Sequence, residues 1–324
     1  TAYSILKQNK LNTIKAFPPI RTFGTVGFIC AMLFVNFIGF DNGRLGFNFS
    51  SDPNFISFQS NYYQFYVSGI IGIILFLYSF TLPNCPISEK TEKQSFSDAF
   101  GFKAFALFRD KKMAIFFIFS MLLGVSLQIT NGYANPFITS FKSIPEYANT
   151  WGANNANALI SLSQISETLC ILLIPFVLRK FGIKIVMLMA MVGWVLRFGL
   201  FGLGDPGSGV WMFILSMIVY GIAFDFFNVS GSLYVDNETD EKIRSSAQGV
   251  FMMMTNGFGA TIGMLAAQYV VNHYVYNQTD LLAQLHGWQM SWFIFAGYAL
   301  IVTILFAIIF KHKHDPKEVE KIIR

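Results

Sequence analysis

The chain has 324 residues, of which 54% are hydrophobic and only 13% are charged. Soluble domains carry about 25% charged residues, so this composition excludes an ordinary soluble domain and indicates an integral membrane protein. The net charge of +5 alone would suggest a nucleic-acid partner, but the placement of the basic residues, described below, excludes that class.

Eight apolar stretches are long enough to cross a bilayer, which takes about 20 residues. In chain order they are residues 20–40, 62–82, 112–138, 157–179, 183–203, 209–235, 245–273 and 289–310. They predict an all-α polytopic membrane protein. The segment before the first stretch, Thr1 to Leu6, reads like the last turn of an apolar helix, so we expect a chain truncated at its N-terminus.

Lysine and arginine cluster on alternate connections between these stretches. Of the 23 basic residues, the opposite connections hold only Arg44 and Lys142, while Arg21 and Arg197 lie within spans. All the others fall on one side. Because an excess of Lys and Arg marks the cytoplasmic side of a membrane, the pattern predicts that both termini are cytoplasmic. It also accounts for the basic charge without a nucleic-acid partner.

The longest connection, residues 83–111, contains two prolines and then an aromatic-rich piece from Phe96 to Phe108. That piece suits either a helix lying on the membrane surface or a segment packed beneath the bundle. The connection leaves two spans before it and six after it. The six fall into two groups of three, 112–203 and 209–310, and internal repeats of this kind are common in transporters.

Polar residues recur at helical spacing in the first and third spans. Arg21, Thr25 and Phe28 are spaced four and three residues apart, and Gln128 and Asn131 are three apart, so each set shares one helix face. Two amides suit a base edge or a sugar hydroxyl, since each both donates and accepts hydrogen bonds. The alternatives are that Arg21 snorkels to the interface and that the amides join neighbouring helices.

Two carboxylates lie within the fourth and sixth spans, where a charge costs at least ~2.5–3.5 kcal/mol. Glu167 follows Gln164 by three residues, and Asp225 directly follows the aromatic pair Tyr220 and Phe224. An aromatic pair beside a carboxylate can stack a flat ring and hydrogen-bond its edge. The alternatives are a buried acid paired to a neighbour and, for the aromatic residues, bulk that faces lipid.

Arg197 lies six residues from the outer end of the fifth span, whereas Asp225 lies about sixteen from the outer end of the next. The offset is roughly ten residues, or ~15 Å along the axes, so we do not expect a direct pair. We interpret Arg197 as an outer-side snorkelling residue or a structural one.

Catalytic templates are not evident in the sequence. It has neither a glycine-rich phosphate loop nor a nucleophile elbow, its three cysteines match no metal spacing, and its four histidines lie in loops or the tail. We therefore expect no catalytic residues, metal or cofactor. An intramembrane enzyme that uses Glu167 and Asp225 as an acid–base pair is the alternative from another class.

Several long runs, in order and spacing, resemble the bacterial nucleoside:proton symporters of the major facilitator superfamily. They are FPPIRTFGTVGF (17–28), AIFFIFSMLLG (114–124), LQITN (127–131), SQISETL (163–169), FGIKIVM (181–187), SMIVYGIAFDFFNVSGS (216–232) and SAQGVFMMMTNGFG (246–259). The resemblance implies a twelve-helix fold, of which this chain would hold eight. Residues 1–82 would then end the N-terminal half with helices five and six, 83–111 would form the central loop, 112–310 the six-helix C-terminal half and 311–324 a cytoplasmic tail.

The resemblance also implies a function and a site. It implies proton-coupled import of nucleosides such as uridine or adenosine across the bacterial inner membrane by alternating access, by a monomer in the lipid bilayer with the proton as coupling ion. A transporter of another small polar solute, such as a sugar, is the alternative. The implied substrate-binding residues are Arg21, Thr25, Phe28, Gln128, Asn131, Gln164, Glu167, Tyr220, Phe224 and Asp225. Desolvation raises the pKa of buried carboxyl groups in general, and we expect Asp225 to carry the proton, with Glu167 a substrate ligand that can share it.

Overall fold

A computed structural model describes residues 13–41, 43–50, 55–82, 102–240 and 243–312. By internal contacts the chain divides into two compact units, Thr1–Lys93 and Gln94–Arg324. Helices dominate both units. The aromatic-rich piece that begins at Phe96 lies partly outside the described residues, and its second part, Phe102–Arg109, is a 3₁₀ helix.

The described part of the first unit consists of two apolar helices joined by a small sheet. Helix α1 covers Thr13–Phe37 and helix α2 covers Tyr63–Ser79. Between them, β1 (Ile38–Asp41), β2 (Arg44–Phe47) and β3 (Ile56–Ser57) form an antiparallel sheet in the order β2-β1-β3. The predicted span 20–40 therefore ends at Phe37.

The sheet is absent from the sequence prediction, although the chain carries a hairpin signal. The run DNGR (41–44) contains an Asn-Gly pair, which favours a two-residue hairpin turn, and Gly43 has a φ of +78°, in the left-handed region that favours glycine. On β1, a Cβ at Gly39 would collide with the carbonyl oxygen of Ile56. Glycine at this position therefore allows β3 to pair.

The second unit is a helical bundle. Its helices are α3 (Lys111–Ser140), α4 (Trp151–Asn154), α5 (Ala156–Leu203), α6 (Val210–Glu238), α7 (Arg244–Met252), α8 (Ala260–Val271) and α9 (Leu281–Ile309). A π-helical segment, Met253–Gly259, joins α7 to α8, and a second, Asn272–Tyr276, follows α8. The core is rich in aromatic side chains, and Phe116, Phe198, Phe213 and Trp292 are fully buried in it.

Within the described residues, four helical segments are long and apolar enough to cross a membrane, namely Lys111–Ser143, Val210–Glu238, Arg244–Tyr276 and Leu281–Ile309. The predicted spans 157–179 and 183–203 both lie within α5, which is broken at Gly182 (φ +75°). The predicted span 289–310 begins earlier, at Leu281, because the Asp280 side chain caps the helix by accepting a hydrogen bond from the Ala283 amide at 3.0 Å.

Glycines bring α3 against the segment Met253–Val271. A Cβ at Gly124 would collide with the carbonyl oxygen of Thr255, and a Cβ at Gly263 would lie 2.9 Å from the Cα of Val125. Gly259 and Gly263 form the small-xxx-small spacing that lets membrane helices approach closely. Backbone-to-backbone packing therefore fixes this crossing.

We expect Gly124→Ala to destabilise the protein, since the added Cβ meets backbone that cannot rotate away. Overpacking of this kind costs about 1–3 kcal/mol, and the temperature of thermal unfolding in detergent should fall by several degrees. Gly132→Ala on the same helix is the matched control, because its Cβ would meet only the flexible end of Met264, with Sδ at 2.8 Å. Equal unfolding temperatures for the two variants would contradict this account of the crossing.

Candidate functional site

Helices α5 and α6 approach each other closely through small residues. A Cβ at Gly221 would lie 2.6 Å from the backbone carbon of Ser166, and one at Gly193 would lie 3.0 Å from the Cβ of Ala223. The first contact involves the part of α5 before its break at Gly182, and the second involves the part after it. Both parts of α5 therefore pack on the middle of α6, where the predicted aromatic pair and carboxylate lie.

Tyr220 is the centre of the resulting cluster. Its ring stacks on that of Phe224, with centroids 5.6 Å apart and planes within 5°. The Trp194 ring meets it edge-on at 5.9 Å, and the guanidinium carbon of Arg197 lies 4.6 Å from its centroid. Tyr220 is only 5% exposed, so the ring is held on several sides.

Polar groups of both helices surround Tyr220. The Gln164 side chain and the carboxylates of Glu167 and Asp225 all lie within electrostatic reach of its hydroxyl. Asp225 is fully buried and Glu167 is nearly so. The structure thus brings together all five predicted residues of the fourth and sixth spans, which the sequence could place only in separate helices.

Asp225 has a further neighbour on α5. Cys170 lies within electrostatic reach of Asp225 and within hydrogen-bonding reach of Ser166, and it is buried. One turn of α5 thus presents Glu167 and Cys170 to the same part of α6. The two carboxylates therefore belong to one cluster of polar and aromatic groups on α5 and α6.

Arg197 corrects one sequence interpretation. The snorkelling alternative is wrong, since the side chain is only 1% exposed. It donates a hydrogen bond from Nη1 to the carbonyl oxygen of Ser216 at 2.8 Å and one from Nε to Thr130 at 3.4 Å, and it also lies over the Phe201 ring at 5.0 Å. Arg197 therefore joins α3, α5 and α6, and it lies on the Tyr220 ring, whose hydroxyl also interacts with the carboxylates.

The sequence analysis missed the link between Arg197 and Tyr220, because it compared depths along two helices and not the reach of an aromatic ring between them. Spacing offered one signal. Trp194, Arg197 and Phe201 are three and four residues apart and so share one helix face. An arginine flanked by aromatic residues on a buried face indicates a cation–π contact.

Gln128 and Asn131 lie on a different face of α3 from Thr130, the residue that Arg197 contacts. Asn131 is exposed on this unit and Gln128 is half-buried. At 100° per residue, Thr130 points about 160° away from Gln128. The two amides therefore do not face the Arg197 contact, and their predicted role in binding substrate stays a prediction.

Comparisons with known proteins identify the family. The sequence matches the family described as "Nucleoside H+ symporter" over residues 1–315. This chain belongs to the nucleoside H⁺ symporter family.

Relatives of known name agree with this assignment. The chain is 43% identical to the xanthosine permease of Escherichia coli (strain K12), with 98% of this chain and 71% of that protein aligned. It is 45% identical to the nucleoside permease NupG of the same organism, over 97% of this chain and 69% of that protein.

Solved structures are similar as well. A crystal structure of an aspartate-to-alanine mutant of the nucleoside transporter NupG matches with a TM-score of 0.83 at 44% identity, covering 96% of this chain and 71% of that chain. A second NupG structure matches with a TM-score of 0.78. The predictions of an all-α major facilitator fold and of a proton-coupled nucleoside transporter are therefore confirmed, and the alternative of an intramembrane enzyme is not supported.

The symporter's first unit holds the remaining predicted site residues, on α1. Thr25 is half-buried and Phe28 is 54% exposed within that unit. Arg21 lies within the described backbone of α1, and its side chain lies outside the described part. These three residues lie in the first compact unit, whereas the cluster around Tyr220 lies in the second. Their role in binding substrate stays a prediction.

A cavity of about 180 Å³ lies in the second unit of the symporter, apart from the carboxylates. Its lining includes Phe137, Tyr147, Asp205, His286 and Gln289, which lie near the end of α3, in the loops after α3 and α5, and near the start of α9. Burial raises the pKa of Tyr147, and the charges of Asp205 and Glu146 add to this effect. Among the described residues that line the cavity, none is a predicted site residue.

Metal binding finds no support in the part of the chain that the structure describes. Within residues 13–41, 43–50, 55–82, 102–240 and 243–312, no three His, Cys, Asp or Glu side chains group in a way that could hold a metal ion.

Proposed function

We propose that the cluster around Tyr220 is the proton-coupled nucleoside site of this symporter. One observation carries the proposal: the buried carboxylates of Glu167 and Asp225 lie on two closely packed helices around a tyrosine whose ring stacks on Phe224, with Gln164 also within electrostatic reach of it. A nucleoside needs an aromatic surface for its base and hydrogen-bonding groups for its ribose and base edge. Both kinds of group are present within two helices.

In this mechanism a proton from outside neutralises one carboxylate and nucleoside binds beside it. Asp225 is the leading carrier, because it is the more deeply buried of the two acids and burial disfavours the charged form. Glu167 binds substrate and shares the proton. Rocking of two halves about the site then carries both inward, as alternating access requires.

The proposal extends to residues outside the cluster. We propose that Arg21, Thr25 and Phe28 on α1 and Gln128 and Asn131 on α3 also bind the nucleoside, and that the protein acts as a monomer with the proton as coupling ion and no cofactor. The excess of Lys and Arg on one set of connections supports a location in the inner membrane with both termini of this chain in the cytoplasm. The proposed domains are residues 1–82, 83–111, 112–310 and 311–324.

Uptake into proteoliposomes tests the proposal. With the outside more acidic by about one pH unit, we expect radiolabelled uridine to accumulate roughly tenfold for one proton per nucleoside, since that gradient supplies ~1.4 kcal/mol. A protonophore should abolish the accumulation. Unlabelled adenosine should compete and glucose should not. Folded protein that transports no nucleoside would overturn the proposal, and competition by glucose alone would favour a sugar transporter.

A further inference from the structure

Asn256 lies in the π-helical segment Met253–Gly259, within the candidate membrane span Arg244–Tyr276. It comes twelve residues after the start of that span, or ~18 Å at the helical rise. The hydrocarbon core is about 30 Å thick, so this amide lies near its middle. Asn256 is nevertheless exposed on the second unit.

The π-helical segment determines which way this amide faces. In a regular α-helix, Asn256, Gly259 and Gly263 would share one face, because they are spaced i, i+3 and i+7. Both glycines are buried against α3, with Gly259 close to Met121 and Gly263 close to Val125. Asn256 would be buried there too, but the wider π turn shifts the register and leaves it exposed.

An exposed amide at this depth needs water or a polar ligand. An amide facing hydrocarbon without partners costs several kcal/mol. Among the described residues, the one hydrogen bond that Asn256 makes to another side chain is a weak one, to Met252 Sδ at 3.9 Å. π-helical turns are rare and occur frequently at functional sites. Both facts indicate that this face of the segment lines an aqueous passage.

The π-helical segment crosses α3 close to Gln128, one of the predicted substrate ligands. Asn256 directly follows Thr255, whose carbonyl oxygen packs on Gly124, and Gln128 lies one turn beyond Gly124. The amides of Gln128 and Asn256 thus lie within a turn of the same helix crossing. Each carries a donor and an acceptor, which is what the hydroxyls and base edge of a nucleoside bind.

We infer that Asn256 is a further substrate-contacting residue, turned into the transport path by the π-helical segment and hydrogen-bonded there to the nucleoside. The inference rests on the proposed nucleoside site and adds α7–α8 to the elements that form it.

Transport kinetics of Asn256→Leu test the inference, with Gln268→Leu as the matched control. Gln268 is an exposed amide on α8, twelve residues further along the same membrane span. We expect Asn256→Leu to raise the KM for uridine about 5- to 10-fold, as for the loss of one hydrogen bond, with the same Vmax and the same elution on size exclusion as the control. Equal KM values for the two variants would overturn the inference and leave the proposed function intact.

Cysteine labelling gives a second readout that does not depend on transport by the variant. A membrane-impermeant thiosulfonate should label Asn256→Cys more than it labels the wild-type chain, whose three cysteines (Cys30, Cys85 and Cys170) set the background. Saturating uridine should slow this additional labelling. Reaction only with a lipid-soluble maleimide would mean that the position faces lipid, which overturns the inference. If the wild type and Gln268→Leu also fail to transport or bind uridine, the proposed function fails, and the inference fails with it.

Discussion

Asp225→Asn is expected to abolish gradient-driven accumulation of nucleoside while leaving binding and downhill exchange. The asparagine side chain is an isostere that resembles the protonated acid and cannot release a proton, so a pH gradient can no longer drive the cycle. Asp225 is fully buried in α6 and acts on Tyr220 and Cys170, so the change removes a charge without removing volume.

The measurement is uridine uptake into proteoliposomes with and without an imposed pH gradient, beside uridine binding in detergent. Wild-type protein should reach roughly tenfold accumulation with about one pH unit of gradient, whereas Asp225→Asn should only equilibrate the label. Asp236→Asn on the same helix is the control, since Asp236 is half-exposed near the end of α6 and accepts a hydrogen bond from Gln248 that an asparagine oxygen can also accept.

The same assay distinguishes the acid that carries the proton from the acid that mainly binds substrate. If Glu167 is mainly a substrate ligand, Glu167→Gln should raise the KM for uridine and retain accumulation at saturating substrate. Accumulation that survives in Asp225→Asn and is lost in Glu167→Gln would reverse the assignment of the proton carrier.

Arg197→Leu is expected to lower both the stability of the fold and the affinity for nucleoside. The guanidinium lies on the Tyr220 ring at 4.6 Å and donates to the Ser216 carbonyl oxygen. A desolvated cation–π contact contributes ~2 kcal/mol and a charged hydrogen bond ~1.5–3 kcal/mol. Part of this is offset because the variant no longer buries a charge, so we expect a net loss of about 2–4 kcal/mol in the free energy of unfolding.

Loss of the cation should also free the Tyr220 ring that stacks on Phe224. Thermal unfolding in detergent and the KM for uridine measure the two effects. Arg197→Lys should recover part of both, because an ammonium group can still lie over the ring but lacks the planar fork of the guanidinium. Arg179→Leu is the matched control, since Arg179 is exposed at the end of the first part of α5. An Arg197→Leu protein as stable and as active as Arg179→Leu would show that the contact contributes to neither property.

Most of the helical framework could be predicted from the sequence, because hydrophobic length and charge asymmetry are local properties of the chain. The predicted span 209–235 corresponds closely to Val210–Glu238, and 112–138 to Lys111–Ser140. Boundaries differ where a side chain or a turn decides them. Asp280 caps α9 earlier than the apolar run suggests, and the strand Ile38–Asp41 takes over the end of the first span because a hairpin follows it.

The candidate site could be predicted only in parts. Spacing along single helices placed Gln164 with Glu167 and Tyr220 with Asp225, since residues three or four apart share a face. It did not reveal that both pairs lie around one tyrosine, that Arg197 is buried against the same tyrosine, or that Asn256 is turned away from its glycine neighbours.

By itself, then, the sequence determined that this protein is a multi-pass membrane protein, where its helices lie and which of their faces carry costly polar groups. The resemblance of its motifs added the family. Only the tertiary structure decided which faces meet. The physical reason is that periodicity fixes the direction of a side chain relative to its own helix axis, whereas its partner depends on how closely two helices cross. In this symporter those crossings are set by Gly193, Gly221 and Gly124 and by the register of one π turn.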